Sequence, residues 1–177
     1  MKTYNIKEKI KEYFFMNPTA KLRVRQIERE LRLPLPSVIR YCKELEKEEN
    51  LKKESVSGVL AYSADRSSKK YLLGKKLFNL KSAFESGLVD YLIKECSNPV
   101  IVLFGSYSKG EDIENSDIDL YIETPSKKEI KLEKFGNILK RKIQVFNYPN
   151  IRQISNTHLA NNVINGIVLN NFLEVFR

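Results

Sequence analysis

The C-terminal part of the chain is organised around residues 100–120, which read VIVLFGSYSKGEDIENSDIDL. The first five residues are continuously apolar, which predicts a buried strand and is far too short to span a bilayer. This strand ends at Gly105-Ser106, and a second predicted strand, Ser116 to Glu123, carries Asp117 and Asp119 two residues apart. Because side chains alternate along a strand, both carboxylates are expected on the same face of a sheet.

This pattern is suited to binding a triphosphate together with a divalent metal ion. Gly105 has no side chain to keep its backbone away from a phosphate. A helix that began here would offer its N–H groups and the Ser106 hydroxyl to phosphate oxygens. Asp117 and Asp119, about 7 Å apart along the backbone, would converge on one Mg²⁺ (or Mn²⁺) ion or on two bridged ions, with substrate phosphates and water as the other ligands. Such ions align an incoming hydroxyl for in-line displacement of pyrophosphate.

The same residues resemble the DNA polymerase beta-type nucleotidyltransferase superfamily in its minimal form. The resemblance covers roughly residues 98–147 and rests on Gly105-Ser106, Lys109-Gly110 and Asp117-Ile118-Asp119. It implies a mixed sheet with flanking helices, a nucleoside triphosphate bound at Gly105, Ser106 and Lys109, and metal-binding and catalytic roles for Asp117 and Asp119. The implied reaction is transfer of a nucleoside monophosphate to an acceptor.

One position departs from the family pattern. The family usually places a third carboxylate on the next strand, within a basic-basic-apolar-Asp-apolar run, and here residues 141–145 read RKIQV, with Gln144 at that position. A glutamine brings no negative charge and cannot take the proton of an attacking hydroxyl. Glu123 lies about 13 Å beyond Asp119 along the strand, which is too far for the same ion, whereas spacing leaves open three acidic residues of the turn, Glu111, Asp112 and Glu114. Whether the chain is an enzyme therefore stays open, and nucleotide and metal binding is favoured over efficient catalysis.

The first 66 residues predict a winged helix-turn-helix. Helices are expected over residues 5–16, about 24–31 and about 36–49, with Val38, Ile39, Cys42 and Leu45 of the third facing the core. A short extended piece precedes the second helix, and residues 51–56 and 59–64 predict a hairpin that turns at Ser57-Gly58. The order helix, short strand, helix, turn, helix, hairpin is that of a winged helix, whose third helix enters the major groove of DNA.

The charge is concentrated in the same part of the chain. Of the formal net charge of +9, residues 1–70 carry +7, with 17 Lys/Arg against 10 Asp/Glu. Clustered cations gain by releasing counterions from a phosphate backbone, so double-stranded DNA is the expected partner. The candidate DNA-binding residues face outward on the third helix and on the hairpin: Ser37, Arg40, Tyr41, Lys43, Lys47, Lys52 and Lys53. Glu44, Glu46, Glu48 and Glu49 oppose tight binding, and the alternative is a structural or protein-binding module with a solvated charged face.

The predicted fold class is α+β, with a winged helix over residues 1–66, bridging helices over 67–97 and a minimal nucleotidyltransferase domain over 98–177. This arrangement also resembles, more loosely, a group of archaeal proteins of poorly defined function. The bridging helices carry four leucines that can form a dimer seam or pack on the chain's own core, the commoner arrangement: Leu72, Leu73, Leu77 and Leu80. Farther along, the pattern predicts a helix from Glu129 to about Lys140, a strand over 142–146, a helix over 155–165 and a terminal hairpin formed by residues 166–169 and 172–176.

Other classes of site are disfavoured. Cys42 and Cys96 have no second cysteine or histidine at metal-ligand spacing, so both are expected to be buried side chains and not zinc ligands. The one histidine, His158, is expected at the surface. The N-terminus lacks the apolar core of a signal peptide, so we expect a cytoplasmic location and no membrane partner.

Three functions agree with these observations. The first is a nucleotidyltransferase with a DNA-binding N-terminal domain. The second is a transcriptional regulator whose C-terminal domain binds nucleotide with weakened or no turnover. The uncharged Gln144 at the third carboxylate position favours it. The third is a partner-binding module of the antitoxin kind, a role in which similar minimal nucleotidyltransferases serve; a homodimer or a protein partner is compatible with it.

Overall fold

A computed structural model of the chain describes residues 5–56, 58–125 and 130–176. The chain divides into two compact units, residues 1–78 and 79–177. The boundary falls inside one long helix, α4 (Lys69–Glu85). The three-part division at residues 66 and 97 stays a prediction.

The first unit consists of three helices, a short strand and a hairpin before the start of α4, in the order expected from the sequence. The elements are α1 (Ile6–Met16), β1 (Lys21–Leu22), α2 (Val24–Leu31), α3 (Leu35–Lys47), β2 (Leu51–Val56) and β3 (Val59–Ala64). The strands form an antiparallel sheet in the order β1-β3-β2. Pro36 lies in the first turn of α3, where a missing N–H costs no helical hydrogen bond.

The core of this unit is built by the apolar faces of the three helices. Phe14, Ile27, Val38 and Cys42 are fully buried, and Leu45 continues the buried stripe of α3. Ile39 was expected to face inward, but 38% of its surface is exposed. One residue along a helix is a turn of about 100°, so Ile39 cannot share the face of Val38. The burial expected for Cys42 is confirmed.

Two polar side chains of α4 cap the C-terminal end of α1 by hydrogen-bonding to its last carbonyl groups. The Tyr71 hydroxyl donates to the carbonyl oxygen of Phe14 at 3.0 Å, and the Lys75 ammonium donates to that of Phe15 at 2.8 Å. Both side chains are 1% exposed. A cation at a helix C-terminus is favourable because the last carbonyls have no helical partner.

The leucines of α4 do not all pack inward as expected. Leu72 packs against the core of the first unit, but Leu73 is 59% and Leu77 is 56% exposed. The reason is again helical rotation, which carries the residue after Leu72 away from the core.

The second unit is a mixed sheet with flanking helices, which confirms the coarse α+β prediction. Its elements after α4 are α5 (Leu88–Glu95), β4 (Val100–Phe104), α6 (Gly105–Lys109), β5 (Ile118–Glu123), α7 (Glu133–Leu139), β6 (Ile143–Tyr148), a 3-10 helix (Ile151–Gln153), α8 (Thr157–Ile164) and β7 (Ile167–Asn170). The strand order is β6-β5-β4-β7, in which β5 and β6 are parallel and the other pairs antiparallel.

The two faces of this sheet bury different side chains. On one face, Ile101, Leu103, Ile118 and Leu120 pack against residues of α5 and α7, including Phe135. On the other face, the alternating residues Val102, Phe104 and Tyr121 pack against Ile151, Ile154 and Val163. Asp119 alternates with Ile118 and Leu120, so it lies on this second face. Cys96 is buried on the first face, as predicted.

Several predicted boundaries differ from the structure. β5 begins at Ile118 and not at Ser116, because Ser116 closes a turn: its backbone N–H donates to the Ile113 carbonyl at 3.0 Å, and its hydroxyl accepts from the Ile113 N–H at 2.9 Å. α7 begins at Glu133, whereas Glu129 lies outside the described residues. β6 extends to Tyr148 because it follows β5 in parallel register to that residue.

The predicted terminal hairpin is wrong. β7 pairs with β4, and residues 171–176 form no strand. Asn171 adopts the left-handed region, with φ of 55°, and its side-chain amide donates to the Asn98 carbonyl at 2.7 Å. The chain after β7 is thus held at Asn98 by Asn171, and it does not fold back along β7. Among the described residues, no helix has both the length and the apolar character needed to cross a membrane.

Candidate functional site

The junction of β4 and α6 holds a glycine in contact with an aspartate. α6 begins at Gly105, as expected, and Gly105 has φ of +73°, a conformation that favours glycine. A Cβ atom on Gly105 would collide with Oδ2 of Asp119 and lie 3.2 Å from its Cγ. The backbone conformation and the space occupied by Asp119 therefore both disfavour a side chain at Gly105. Ser106 follows in the first turn of the helix and is half-buried.

Asp117 lies close enough to Asp119 for its charge to act on the Asp119 carboxyl. Asp119 is the register partner of Phe104 on β4, and Asp117 precedes the first residue of β5. Burial, together with the negative charge of Asp117, raises the pKa of Asp119 above its ordinary value. Two half-buried carboxylates that repel each other are stabilised by a cation between them. The structure thus brings Gly105, Asp117 and Asp119 together, with Lys109 exposed at the end of α6.

Gln144 lies beside Asp119 on the neighbouring strand. The parallel register of β5 and β6 pairs the two residues, so their side chains point to the same face. The side chain of Gln144 is exposed. The residue that the sequence pattern places at the third carboxylate position is therefore adjacent to the two acidic residues, but it carries no charge.

A buried cluster around Asp112, whose partners the sequence did not reveal, organises the turn between α6 and β5. Asp112 is 1% exposed, and its Oδ1 accepts from the Asn79 amide at 2.7 Å, while the same amide donates to the Tyr107 carbonyl at 2.9 Å. The Arg141 guanidinium lies 3.5 Å from Asp112 Oδ2, and these side chains are 6% and 0% exposed. Because Arg141 lies two residues before the start of β6, this cluster connects α4, α6, the turn and the segment that leads into β6. Asp112 is therefore committed to Asn79 and Arg141.

Tyr107 belongs to the same buried surroundings. Burial is the main cause that raises the pKa of the Tyr107 hydroxyl, and the negative charge of Asp112 adds to it against the opposing effect of Arg141. Nothing in the spacing of Asn79, Asp112 and Arg141 signals their contact, because it joins segments 29 or more residues apart.

Glu123 has a structural role. Its Oε2 accepts from the Tyr121 hydroxyl at 2.7 Å and from the Ile151 N–H at 2.9 Å. Burial and this hydrogen bond raise the pKa of Tyr121. Glu123 therefore anchors the chain after β6 to the second face of the sheet. His158 is exposed in the first turn of α8, as expected of a surface histidine.

The donor set fits a hard divalent cation that is bound together with a substrate. Asp117 and Asp119 supply carboxylate oxygens, the ligands that Mg²⁺ prefers, and Mg²⁺ commonly takes one or two protein carboxylates plus phosphates and water. Among the described residues, no group of three or more His, Cys, Asp or Glu side chains is placed to hold a metal ion. The protein's own carboxylates thus leave most coordination positions to substrate and solvent.

In the first unit, the candidate DNA-binding residues lie on α3 and on the hairpin. Lys43, Lys47 and Lys52 are exposed, and within the described part of the chain none of them forms an ion pair. Arg40 is also exposed and lies over the Tyr41 ring, 4.3 Å from its centroid, with Glu44 at 3.8 Å. Ser37 is half-buried at the start of the helix.

The acidic residues of α3 are partly neutralised within the unit. Lys7 lies 2.5 Å from Glu48 and 3.5 Å from Glu44, and Lys53 lies 2.6 Å from Glu46. The side-chain hydrogen bond to Glu46 is the main reason that the pKa of Lys53 is raised. Lys53 is therefore engaged with Glu46, a contact that the sequence did not reveal.

Comparison with known proteins bears on the second unit. Residues 89–167, somewhat less than half of the chain, match the family model described as "Nucleotidyltransferase domain". This match supports the nucleotidyltransferase part of the resemblance for this segment. Searches of the curated proteins and of the solved structures gave no match.

Proposed function

We propose that the second unit is a nucleotidyltransferase that binds a nucleoside triphosphate with Mg²⁺ or Mn²⁺ and transfers a nucleoside monophosphate to an acceptor. The observation that carries this proposal is the contact of the Asp119 carboxylate with the side-chain-free Gly105, with Asp117 close by. The match of residues 89–167 to nucleotidyltransferase domains supports it.

Each residue has a role that follows from its position. Ser106 and the first N–H groups of α6 face the phosphates, because those groups have no helical partner. Lys109 adds a positive charge for the triphosphate. Asp117 and Asp119 hold the metal ion, which when bound neutralises phosphate charge and orients the reacting groups.

The test combines nucleotide binding with transfer. Labelled ATP, CTP, GTP and UTP are each incubated with the full chain and Mg²⁺, and binding, label transfer and released pyrophosphate are measured. Asp117→Asn should lose metal-dependent nucleotide binding and transfer, whereas the matched control Asp90→Asn, an exposed aspartate on α5, should retain both. Equal behaviour of the two variants, or no nucleotide binding by the wild type, would contradict the proposal.

A second activity, DNA binding by the first unit as a winged helix, is favoured by the cations of α3 and β2. Lys43, Lys47 and Lys52 are exposed, while Glu46 and Glu48 are held by Lys53 and Lys7. In this proposal Arg40 and Lys43 contact the duplex. The alternative of a nucleotide-binding regulator without efficient turnover combines this activity with the uncharged Gln144.

The DNA-binding proposal is tested by the salt dependence of affinity. Binding of a labelled duplex is followed by fluorescence anisotropy between low and moderate salt, and the slope of log affinity against log salt should fall by about 0.9 for each phosphate contact removed. Arg40→Ala should weaken binding and reduce the slope, whereas Arg66→Ala, an exposed arginine outside α3 and the hairpin, should not. An affinity that is insensitive to salt would refute the proposal.

A further inference from the structure

A cavity of about 1000 Å³ opens beside Asp117, and the residues proposed to bind the nucleoside triphosphate do not explain it. It lies between the start of β5, α7 and residues 140–143. Its lining includes Asn115, Asn137 and Ile143 in addition to Asp117. This volume is at the upper end of the usual range for small-molecule sites. Asp117 is shared by this cavity and the proposed transfer site, whereas Gly105, Ser106 and Asp119 are not among the residues that line the cavity. In the proposal below, a molecule in the cavity reaches the triphosphate past Asp117.

Two lysines give the cavity an affinity for anions. Lys140 and Lys142 line it and are exposed, and neither forms an ion pair within the part of the chain that the structure describes. Asp117 and Lys142 immediately precede the paired first residues of β5 and β6, Ile118 and Ile143. The Ile118 N–H donates to the Lys142 carbonyl at 2.8 Å. Asp117 and Lys142 are therefore neighbours at the start of the two strands.

Other charges in the lining are engaged or distant. Arg141, between the two lysines, is committed to the buried Asp112. Glu133 lies seven residues before Lys140, at the start of α7, or roughly 10 Å away along a helix. Glu114 also lines the cavity and has contacts of its own. Asp117 lies beside Lys142, and in the proposed function its charge is offset by the metal ion. Lys140 and Lys142 are then the cations at this end of the cavity.

The chemistry next to Asp119 restricts the acceptor further. A hydroxyl acceptor needs a group that takes its proton. Gln144 stands beside Asp119 and cannot do so. Asp112 is buried in its pair with Arg141, and Glu123 is bonded to Tyr121 and Ile151. Glu111 and Glu114 belong to the turn before β5, and the cross-strand neighbours of Asp119 are Phe104 and Gln144. An acceptor that is already ionised needs no base.

We propose that the acceptor is a phosphomonoester whose phosphate group binds at Lys140 and Lys142. This inference rests on the proposed nucleotidyltransferase function. The two ammonium groups offset the repulsion between the acceptor phosphate and the triphosphate, which is strong where water is partly excluded. Asn115, Asn137 and the apolar surface around Ile143 contact the rest of the acceptor.

The transfer step balances without a base. An anionic oxygen of the acceptor phosphate forms a bond to the α-phosphorus of the nucleoside triphosphate. The bond from that phosphorus to the oxygen bridging to the β-phosphorus breaks, and its electron pair leaves on pyrophosphate. The product is a nucleoside monophosphate joined to the acceptor through a diphosphate, and no proton leaves the acceptor.

The first experiment measures acceptor binding without turnover. Ribose 5-phosphate is titrated calorimetrically into the full chain with Mg²⁺ and an α,β-methylene triphosphate, and ribose is the matched control. Ribose 5-phosphate should bind and ribose should not. Lys140→Gln and Lys142→Gln should each weaken this binding about tenfold, in keeping with the loss of a charge-assisted hydrogen bond, without changing nucleotide affinity. Lys94→Gln, an exposed lysine on α5, should bind as the wild type does.

The second experiment identifies the product. With ATP, phosphorus NMR should show a diphosphate linkage to ribose 5-phosphate, and the rate should level off above about pH 7, because the second phosphate pKa is about 6. Equal binding or transfer with ribose, a phosphodiester to a ribose hydroxyl, or unchanged binding in both lysine variants would overturn the inference. So would loss of all transfer in Glu114→Gln with ribose 5-phosphate still bound, since that would indicate a carboxylate base. Failure of the triphosphate itself to bind would instead overturn the proposed function, and this inference with it.

Discussion

Replacement of Gly105 by alanine, compared with a control glycine, tests the two reasons for a glycine at this position: the left-handed backbone and the nearby Asp119 carboxylate. The left-handed backbone, with φ of +73°, costs an alanine about 1–2 kcal/mol. The smaller freedom of alanine in the unfolded chain returns about 0.4–1 kcal/mol. In addition, the new Cβ collides with Oδ2 of Asp119, so that carboxylate must rotate. A rotation of about 30° away from a preferred rotamer costs about 0.5–1.5 kcal/mol.

Gly87 supplies the matched control in the same unit. Its φ is +77°, and a Cβ placed on it has no atom within 4 Å. Gly87→Ala therefore carries the same backbone terms as Gly105→Ala but not the collision. The difference between the two variants isolates the displacement of Asp119, and we expect Gly105→Ala to be less stable than Gly87→Ala by about 1 kcal/mol.

The assay is urea unfolding of the full chain followed by circular dichroism, together with Mn²⁺ binding in the presence of a nucleoside triphosphate. Gly105→Ala should lose Mn²⁺ and nucleotide affinity, whereas Gly87→Ala should keep both. Contributions of the first unit to unfolding are the same for both variants and cancel in the comparison. Equal stability and equal Mn²⁺ affinity in the two variants would refute the contact between residue 105 and Asp119 as the reason for the glycine.

Three further perturbations test the surroundings of the site. Asp112→Asn should cost about 3–5 kcal/mol, because it removes the charge of a buried carboxylate that faces Arg141; urea unfolding measures it, and a loss below about 1 kcal/mol would contradict the pairing. Without divalent ions, Asp119→Asn should stabilise the fold at neutral pH, because folding raises the pKa of Asp119. The free-energy cost of folding with an ionised Asp119 is absent well below the ordinary pKa of the carboxyl, and it grows as the pH rises toward the pKa in the folded state. A stability difference that does not depend on pH would argue against this. Gly166→Ala should cost about 1–3 kcal/mol, because a Cβ there would lie 2.6 Å from Val102 Cγ1 and 2.8 Å from the Leu103 carbonyl oxygen; an unchanged unfolding midpoint would show that the neighbours can yield.

The amino-acid sequence by itself predicted the element order of the first unit and most elements of the second, and it proposed an acidic site at Asp117 and Asp119. Local signals were sufficient for this: the apolar run 100–104, the glycine at its end and the two-residue spacing of Asp117 and Asp119. Side-chain alternation along a strand is a short-range property of the backbone, so a common face for the two aspartates was the expectation from spacing. In the structure β5 begins at Ile118, so only Asp119 lies within the strand. The element order of the first unit followed in the same way from helical and strand periods.

Local signals were less reliable at the ends of elements and at the edges of buried faces. Ile39 was expected in the core because it is apolar and lies in α3, but the direction of the helix axis leaves it partly exposed. The expected hairpin at the C-terminus likewise failed, because Asn171 bonds to Asn98, 73 residues away in the chain. Such contacts depend on which distant segments become neighbours.

Only the tertiary structure decided what surrounds the acidic pair. It placed Gln144 beside Asp119 through the parallel pairing of two strands, and it buried Asp112 between Asn79 and Arg141. Spacing had left Asp112 open as a third metal ligand. A buried charge must be paired and hydrogen-bonded, and its partners come from wherever the fold brings them. The sequence therefore predicts two carboxylates close together in the chain, whereas long-range packing determines which other charges lie within reach of them.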